Sequence, residues 1–318
     1  MRRYLLQRAG LSLVQLWLAA TVLFLFVHML PGDPVDIILG SSDTFQPTQE
    51  QKAIVRKQLG LDRPLPVQYT SYFYNLLRGN LGVSFATGRP VALDLRLRFG
   101  RTVQLVIPAI CLSSVAGITI GVFSAGRRGT LLDMVSSAAG LVAHCLPAFV
   151  LGNMLVLMLA IRYPVLPSSG FIEMSVDLRA ALAFMVLPVV TMGARGGAST
   201  MRMTRMAIVE QMMQDYVRTA KAKGLSERLV LYRHVLKNSM LPVVTVIGLQ
   251  FGSMLAGAVV VEGIFNWPGL ASLLIRSISN RDYPVIQGCV LLMSSIFVVV
   301  NFLTDMSYAF LDPRIRQD

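Results

Sequence analysis

Long apolar runs without charge alternate along this chain with shorter stretches that carry nearly all of its Lys, Arg, Asp and Glu. A helix needs about 20 apolar residues to cross a hydrocarbon core of about 30 Å. Windows of that kind lie at about residues 9–30, 102–125, 134–161, 180–203, 241–261 and 285–304, which predicts six transmembrane helices. The third window contains His144 and Pro147 and the fourth Pro188, so a kink is predicted in each. Arg195 interrupts the fourth, where the small residues of GARGGAS also permit close helix packing. An even number of spans puts both termini on one side.

Composition agrees: 54% of the 318 residues are hydrophobic and 14% charged, which excludes an ordinary soluble domain. The net charge of +12 raises nucleic acid as a partner, but the charges sit between apolar runs rather than on one basic face, so none is expected. Cys111, Cys145 and Cys289 lie inside apolar stretches without CxxC spacing, which predicts neither a disulfide framework nor a zinc site. The run from Ala9 to Gly32 is long for a signal peptide, and HMLPGDPVD lacks a small-x-small cleavage pattern, so it is read as a retained first span. With a cytoplasmic N-terminus, the inner segments hold fifteen Lys or Arg, against four in the short outer loops 162–179 and 262–284. That excess predicts both termini in the cytoplasm.

Residues 31–101 then form an external insertion, giving an N-terminal region 1–101 and a five-helix core 102–318 with a cytoplasmic segment 207–240. PGDP, with Pro31 and Pro34, ends the first span. Thr48 and Gln51 have capping-box spacing and Gly60 is a stop signal, which predicts a short external helix. Tyr69, Tyr72, Phe73 and Tyr74 suit a membrane interface, with substrate contact as the sharper alternative.

The basic segment DYVRTAKAKGLSERLVLYRHVLKNSMLP reads as helix, glycine turn, helix. Asp215 is placed to cap a helix from Tyr216, and Gly224 to end it. Ser226 is placed to cap a second helix with Leu229, Tyr232, Val235 and Leu236 at helical spacing, and Ser239 and Pro242 to open the fifth span. A plain loop held inside by its charge would need only the Lys and Arg. It would not need a small-residue helix, stopped by glycine and turned back toward the membrane.

RTAKAKG followed by HVLKNSMLP resembles the EAA loop of ABC importer permeases, with Ala220 and Gly224 at the pattern's Ala and Gly and Arg218 and Thr219 where it has Glu and Ala. FLFVHMLPGDP, LGLDRPLPVQY, LGVSFATGRPV, VVEGIFNWPGL, NRDYPVIQG and LDPRIR extend the likeness along nearly the whole chain, which resembles the peptide/nickel-type subfamily. The resemblance implies an all-α integral membrane protein of type I importer permease architecture, in the bacterial cytoplasmic (inner) membrane. It implies a homologous second permease, two cytoplasmic ABC ATPases and an extracytoplasmic solute-binding protein as partners. Tyr216, Arg218, Thr219, Ala220, Lys221, Ala222, Lys223, Gly224 and Leu225 would be the segment that couples to the ATPases.

The residues add limits. No GxxxxGK[ST] occurs, so ATP and Mg are expected in partner subunits, with no cofactor on this chain. No paired intramembrane acids suggest a stand-alone ion-driven carrier, and no GxSxG or HExxH an enzyme; Ser199 in GAST shows no companion His or Asp in sequence. His28, His144 and His234 are solitary, so no metal site is predicted. Arg195 is either functional or snorkels from near the cytoplasmic end. Glu262 and Asp282 flank the last outer loop, as docking or solute-binding groups or as simple boundary residues in water, and Trp267 is either an interfacial anchor or part of an outer gate. Asp305, Asp312 and Arg314 are placed to pair near the inner face. Peptides are the expected cargo, with glutathione, nickel and metal chelates as alternatives.

Overall fold

The computed structural model describes residues 2–29, 35, 39, 48–58 and 60–311. The PGDP turn, Asp312, Arg314 and the side chain of Asp305 lie outside the described residues. The described chain is helical: α1 Arg2–Met29, α2 Gln49–Gln58, α3 Leu65–Leu77, α4 Val91–Gly126, α5 Leu131–Cys145, α6 Ala148–Arg162, α7 Leu178–Gln211, α8 Asp215–Ala222, α9 Glu227–Ile264, α10 Leu270–Ser279 and α11 Tyr283–Leu311. Among the described residues, five stretches are long and apolar enough to cross a membrane: Gln7–Met29, Val91–Gly126, Leu178–Gln211, Glu227–Ile264 and Tyr283–Thr304.

The third predicted span differs from a kinked rod. α5 and α6 meet at 103°, so the sixth crossing exists only as a sharply broken pair. Pro147 is the reason: a proline bars the residue before it from helical backbone, and Leu146 is extended at φ −65°, ψ 124°. Pro188, by contrast, lies within an α7 that continues as one helix.

The chain packs as two units. One comprises residues 1–9, 102–268 and 299–318; the other comprises 10–101 and 269–298. In the first, helices approach through small residues, and Gly117 and Gly121 of α4 lie directly on α7. A Cβ at Gly117 would stand 2.6 Å from Thr200 and one at Gly121 would stand 2.7 Å from Thr204 and from the Met201 carbonyl, so only glycine permits the approach. Gln250 of α9 is buried in the same unit and donates through Nε2 to the Gly196 carbonyl and Thr200 Oγ1, each at 2.9 Å.

In the second unit, Val91, Leu95, Leu270, Val285 and Cys289 form a core between the start of α4, α10 and α11. The capping box at α2 is present: Thr48 N donates to Gln51 Oε1 at 3.0 Å and Gln51 N to Thr48 Oγ1 at 3.4 Å. Gly60 ends that helix at φ +69°. Tyr69 and Tyr72 of α3 pack their rings on Phe24 of α1, at 5.4 and 5.5 Å between centroids, and Phe73 packs on both tyrosines. The α3 aromatics therefore hold this helix against the first span.

Candidate functional site

The strongest site by geometry is α8 and the turn that follows it. Gln214, extended at ψ 151°, occupies the N-cap that was expected of Asp215. Asp215 is the first helical residue instead, where its carboxylate still meets the positive end of the helix dipole. Of the eight residues of α8, Val217 and Ala220 are buried. They enter a cluster with Val122 of α4, Ile208 of α7, and Val230 and Val235 of α9. α8 thus rests on three membrane helices at once through two small side chains. Tyr216, Arg218, Thr219, Lys221, Ala222, Lys223 and Gly224 face outward, and Leu225 is half-buried against the cluster.

Gly224 sits at φ +80° and its N–H donates to the Lys221 carbonyl at 2.9 Å. That left-handed turn reverses the chain into α9, where Ser226 Oγ accepts from Leu229 N at 3.4 Å, as its capping role requires. Lys221 Nζ reaches Glu227 Oε1 at 3.0 Å and closes the turn from outside.

Two expectations for α9 are corrected. The buried face is Val230 and Val235, while Leu229 and Tyr232 are exposed. Residues 230–235 form a wide π-type turn, whose five-residue bonding brings positions five apart to one side. Pro242 does not open a span either, because α9 runs unbroken from Glu227 to Ile264 with Pro242 inside it.

A second polar site lies beside this cluster and was missed in sequence. Asp133 is buried and accepts from Arg205 Nε at 2.7 Å and Nη2 at 2.8 Å, from Ser124 Oγ at 2.5 Å and from Gly129 N at 3.0 Å. Four donors on one carboxylate clamp α4, α5 and α7 together. The available signal was an acid at the edge of an apolar window, four residues past the Gly129 turn that closes the Arg127–Arg128 loop.

The residues singled out in and near the spans have distinct fates. Arg195 is exposed on α7 and makes no ion pair among the described residues. Arg195 lies ten residues, a rise of about 15 Å, from Arg205 and near the middle of the 34-residue α7. Facing lipid there, a guanidinium would cost on the order of 3 kcal/mol by insertion scales. Ser199, one turn along, does have a companion: His144 Nδ1 shares a hydrogen bond with its hydroxyl at 3.2 Å. The expectation of an isolated Ser199 is therefore corrected, since α5 brings a histidine to it across 55 positions.

Glu262 and Asp282, expected in water if they were mere boundary residues, are both buried. Glu262 accepts from Thr102 Oγ1 at 2.7 Å. Trp267 is 1% exposed, donates its backbone N–H to the Glu262 carbonyl at 2.8 Å, and meets the Phe171 ring edge-on at 4.8 Å. In the other unit, Asp282 accepts from Ser84 Oγ, Phe85 N and Ala86 N at 2.5, 3.0 and 3.4 Å, so a carboxylate grips the loop 83–90 from about 200 positions away. A cavity of about 830 Å³ in that unit is lined by His28, Lys57, Arg63, Tyr72 and Gln287 among others. Tyr72 has no hydrogen-bond partner for its hydroxyl among the described residues, and burial pushes its phenol up. No cluster of metal-ligating side chains is present among the described residues.

Residues 117–317 match the family described as "Binding-protein-dependent transport system inner membrane component", and residues 1–106 match its N-terminal companion. The chain is 38% identical to the dipeptide transport system permease protein DppB of Escherichia coli K12, with 99% of each chain covered. It is 39% identical to the glutathione transport system permease protein GsiC of Escherichia coli O6:H1 and 40% identical to that of Salmonella choleraesuis, again over 99% of each chain.

Proposed function

Because the chain belongs to the family of inner-membrane components of binding-protein-dependent transport systems, we propose that it is the peptide-translocating permease subunit of an ATP-driven importer. It is an all-α, multi-pass inner-membrane protein. Its proposed assembly pairs it with a homologous second permease, two cytoplasmic ABC ATPases that hold ATP and Mg, and an extracytoplasmic solute-binding protein. The excess of Lys and Arg in the inner loops supports cytoplasmic termini and a cytoplasmic α8.

One observation carries the mechanism: α8 and its turn present seven outward residues of the segment, while two buried residues seat the helix on α4, α7 and α9. An ATPase that grips the outer face and closes on nucleotide pushes three spans together. Alternating access follows if the two permease arrangements contact the nucleotide-bound and nucleotide-free partner differently. Arg195 is proposed as a pathway residue. Glu262 and Trp267, both buried, are proposed as the fixed base of an outer gate rather than its lining. Di- or oligopeptides are the proposed cargo, by the likeness to a dipeptide permease; glutathione is the second reading, by an equal likeness to glutathione permeases.

The test is purification from the native membrane in mild detergent, identification of the attached subunits, and reconstitution with binding protein and ATP. ATP-dependent peptide uptake by the assembled complex is expected. Uphill solute movement by this chain alone would sink the reading.

A further inference from the structure

We infer that Arg195 is the cargo-carboxylate ligand of this subunit, a specificity-determining residue that receives the free carboxylate of a peptide half-way across the membrane. The inference rests on the peptide-importer reading and deepens it.

Three observations lead there. First, Arg195 is exposed on α7, while the neighbours one turn away on either side, Thr191, Met192 and Ala198, are buried in this chain's own unit. The guanidinium thus points out of the bundle that α7 helps to form. Second, it lies near the middle of the 34-residue α7, about 24 Å from either end, farther than a side chain reaches by snorkelling. Third, the surface around it is polar in a way that lipid-facing surface is not. The Ser199–His144 pair follows one turn further on, and exposed Arg202 two turns further on, so positions 195, 199 and 202 form one stripe of i, i+4, i+7 spacing.

A stripe of that kind belongs on water rather than on acyl chains, and in a two-permease importer the water-filled surface is the pathway between subunits. Its charge selects the ligand. Two cations and a hydroxyl–imidazole pair, with no carboxylate on the stripe, suit an anion, and the planar fork of arginine suits a carboxylate in two-point contact. The cargoes named for the similar permeases, a dipeptide and glutathione, share one group that answers this description, the free carboxylate. Arg202 lies toward the α8 end of the stripe, where a departing carboxylate would next arrive.

The test uses the reconstituted complex with binding protein saturated by either of two probes, a peptide and its C-terminal amide. Saturation removes the binding protein's own preference, so uptake per ATP hydrolysed reports the permease. The wild-type complex is expected to favour the free acid several-fold. Arg195→Gln should bring the acid-to-amide ratio close to one, and Arg195→Lys, which keeps the charge but loses the two-point fork, should fall between the two.

A second measurement does not depend on transport. In a chain with Cys111, Cys145 and Cys289 replaced by Ala, Arg195→Cys should react with a membrane-impermeant anionic thiol reagent, and the free-acid peptide should slow that reaction. An unchanged acid-to-amide ratio in Arg195→Gln would overturn the inference and leave the importer intact. So would an Arg195→Cys chain whose new thiol labels only after denaturation. If the wild-type complex moves neither probe, the peptide reading itself fails.

Discussion

Replacing Gly224 tests the proposed coupling role of the turn by backbone geometry alone. At φ +80° an L residue meets the left-handed penalty of about 1–2 kcal/mol, and a Cβ built there touches nothing within 4 Å. Gly224→Ala therefore costs that backbone term and no packing term. One to two kcal/mol is a factor of roughly 5–30 in the ratio of seated to unseated α8. Gly224→Pro is harsher: its ring fixes φ near −65°, and it removes the N–H that donates to the Lys221 carbonyl at 2.9 Å, so the reversal cannot form at all. The assay is the ratio of peptide uptake to ATP hydrolysis in proteoliposomes, with subunit co-purification and membrane insertion measured on the same preparations. Gly224→Ala should lower the ratio several-fold and Gly224→Pro should abolish it, both with insertion intact. A Gly224→Pro complex that hydrolyses and transports at the wild-type ratio would show that the turn carries no force.

Further outcomes follow from the other sites. Asp133→Asn leaves the half-buried Arg205 without its carboxylate and should lower the detergent unfolding temperature more than Asp133→Asn combined with Arg205→Met. Asp282→Asn exchanges a charged acceptor for a neutral one beneath three donors, so protease should cut the 83–90 loop faster while α8 chemistry is untouched. Enlarging Ala220 to Leu overfills the seat shared with Val122, Ile208 and Val235 at about 1–3 kcal/mol, and should loosen ATPase attachment as judged by co-purification.

Much of this was legible in the sequence because each feature had a local cause. Apolar runs located the spans, Thr48 and Gln51 wrote their own cap, and Gly224 and Ser226 wrote the turn after α8. Features built by distant partners were not legible. Asp282 looks like an outer boundary residue until Ser84 and two backbone amides surround it, and Asp133 like a span edge until Arg205 arrives from 72 positions away. The π turn at 230–235 likewise has no sequence period of its own, so helical spacing pointed to Leu229 and Tyr232 when Val230 was the buried neighbour. Pro147 and Pro188 show the same limit: identical residues, one breaking the chain by 103° and one carried inside a helix.

The uninterrupted α9 has a mechanical corollary. Its 38 residues, with the π turn at 230–235 among them, run about 57 Å from just beyond Gly224 to beside Glu262 and Trp267. An arm of that length pivoting by about 5° swings its far tip by about 5 Å, comparable to the rise of one helical turn. A slight rocking at the end next to α8 would therefore be magnified into a displacement at the opposite end wide enough to matter to a peptide.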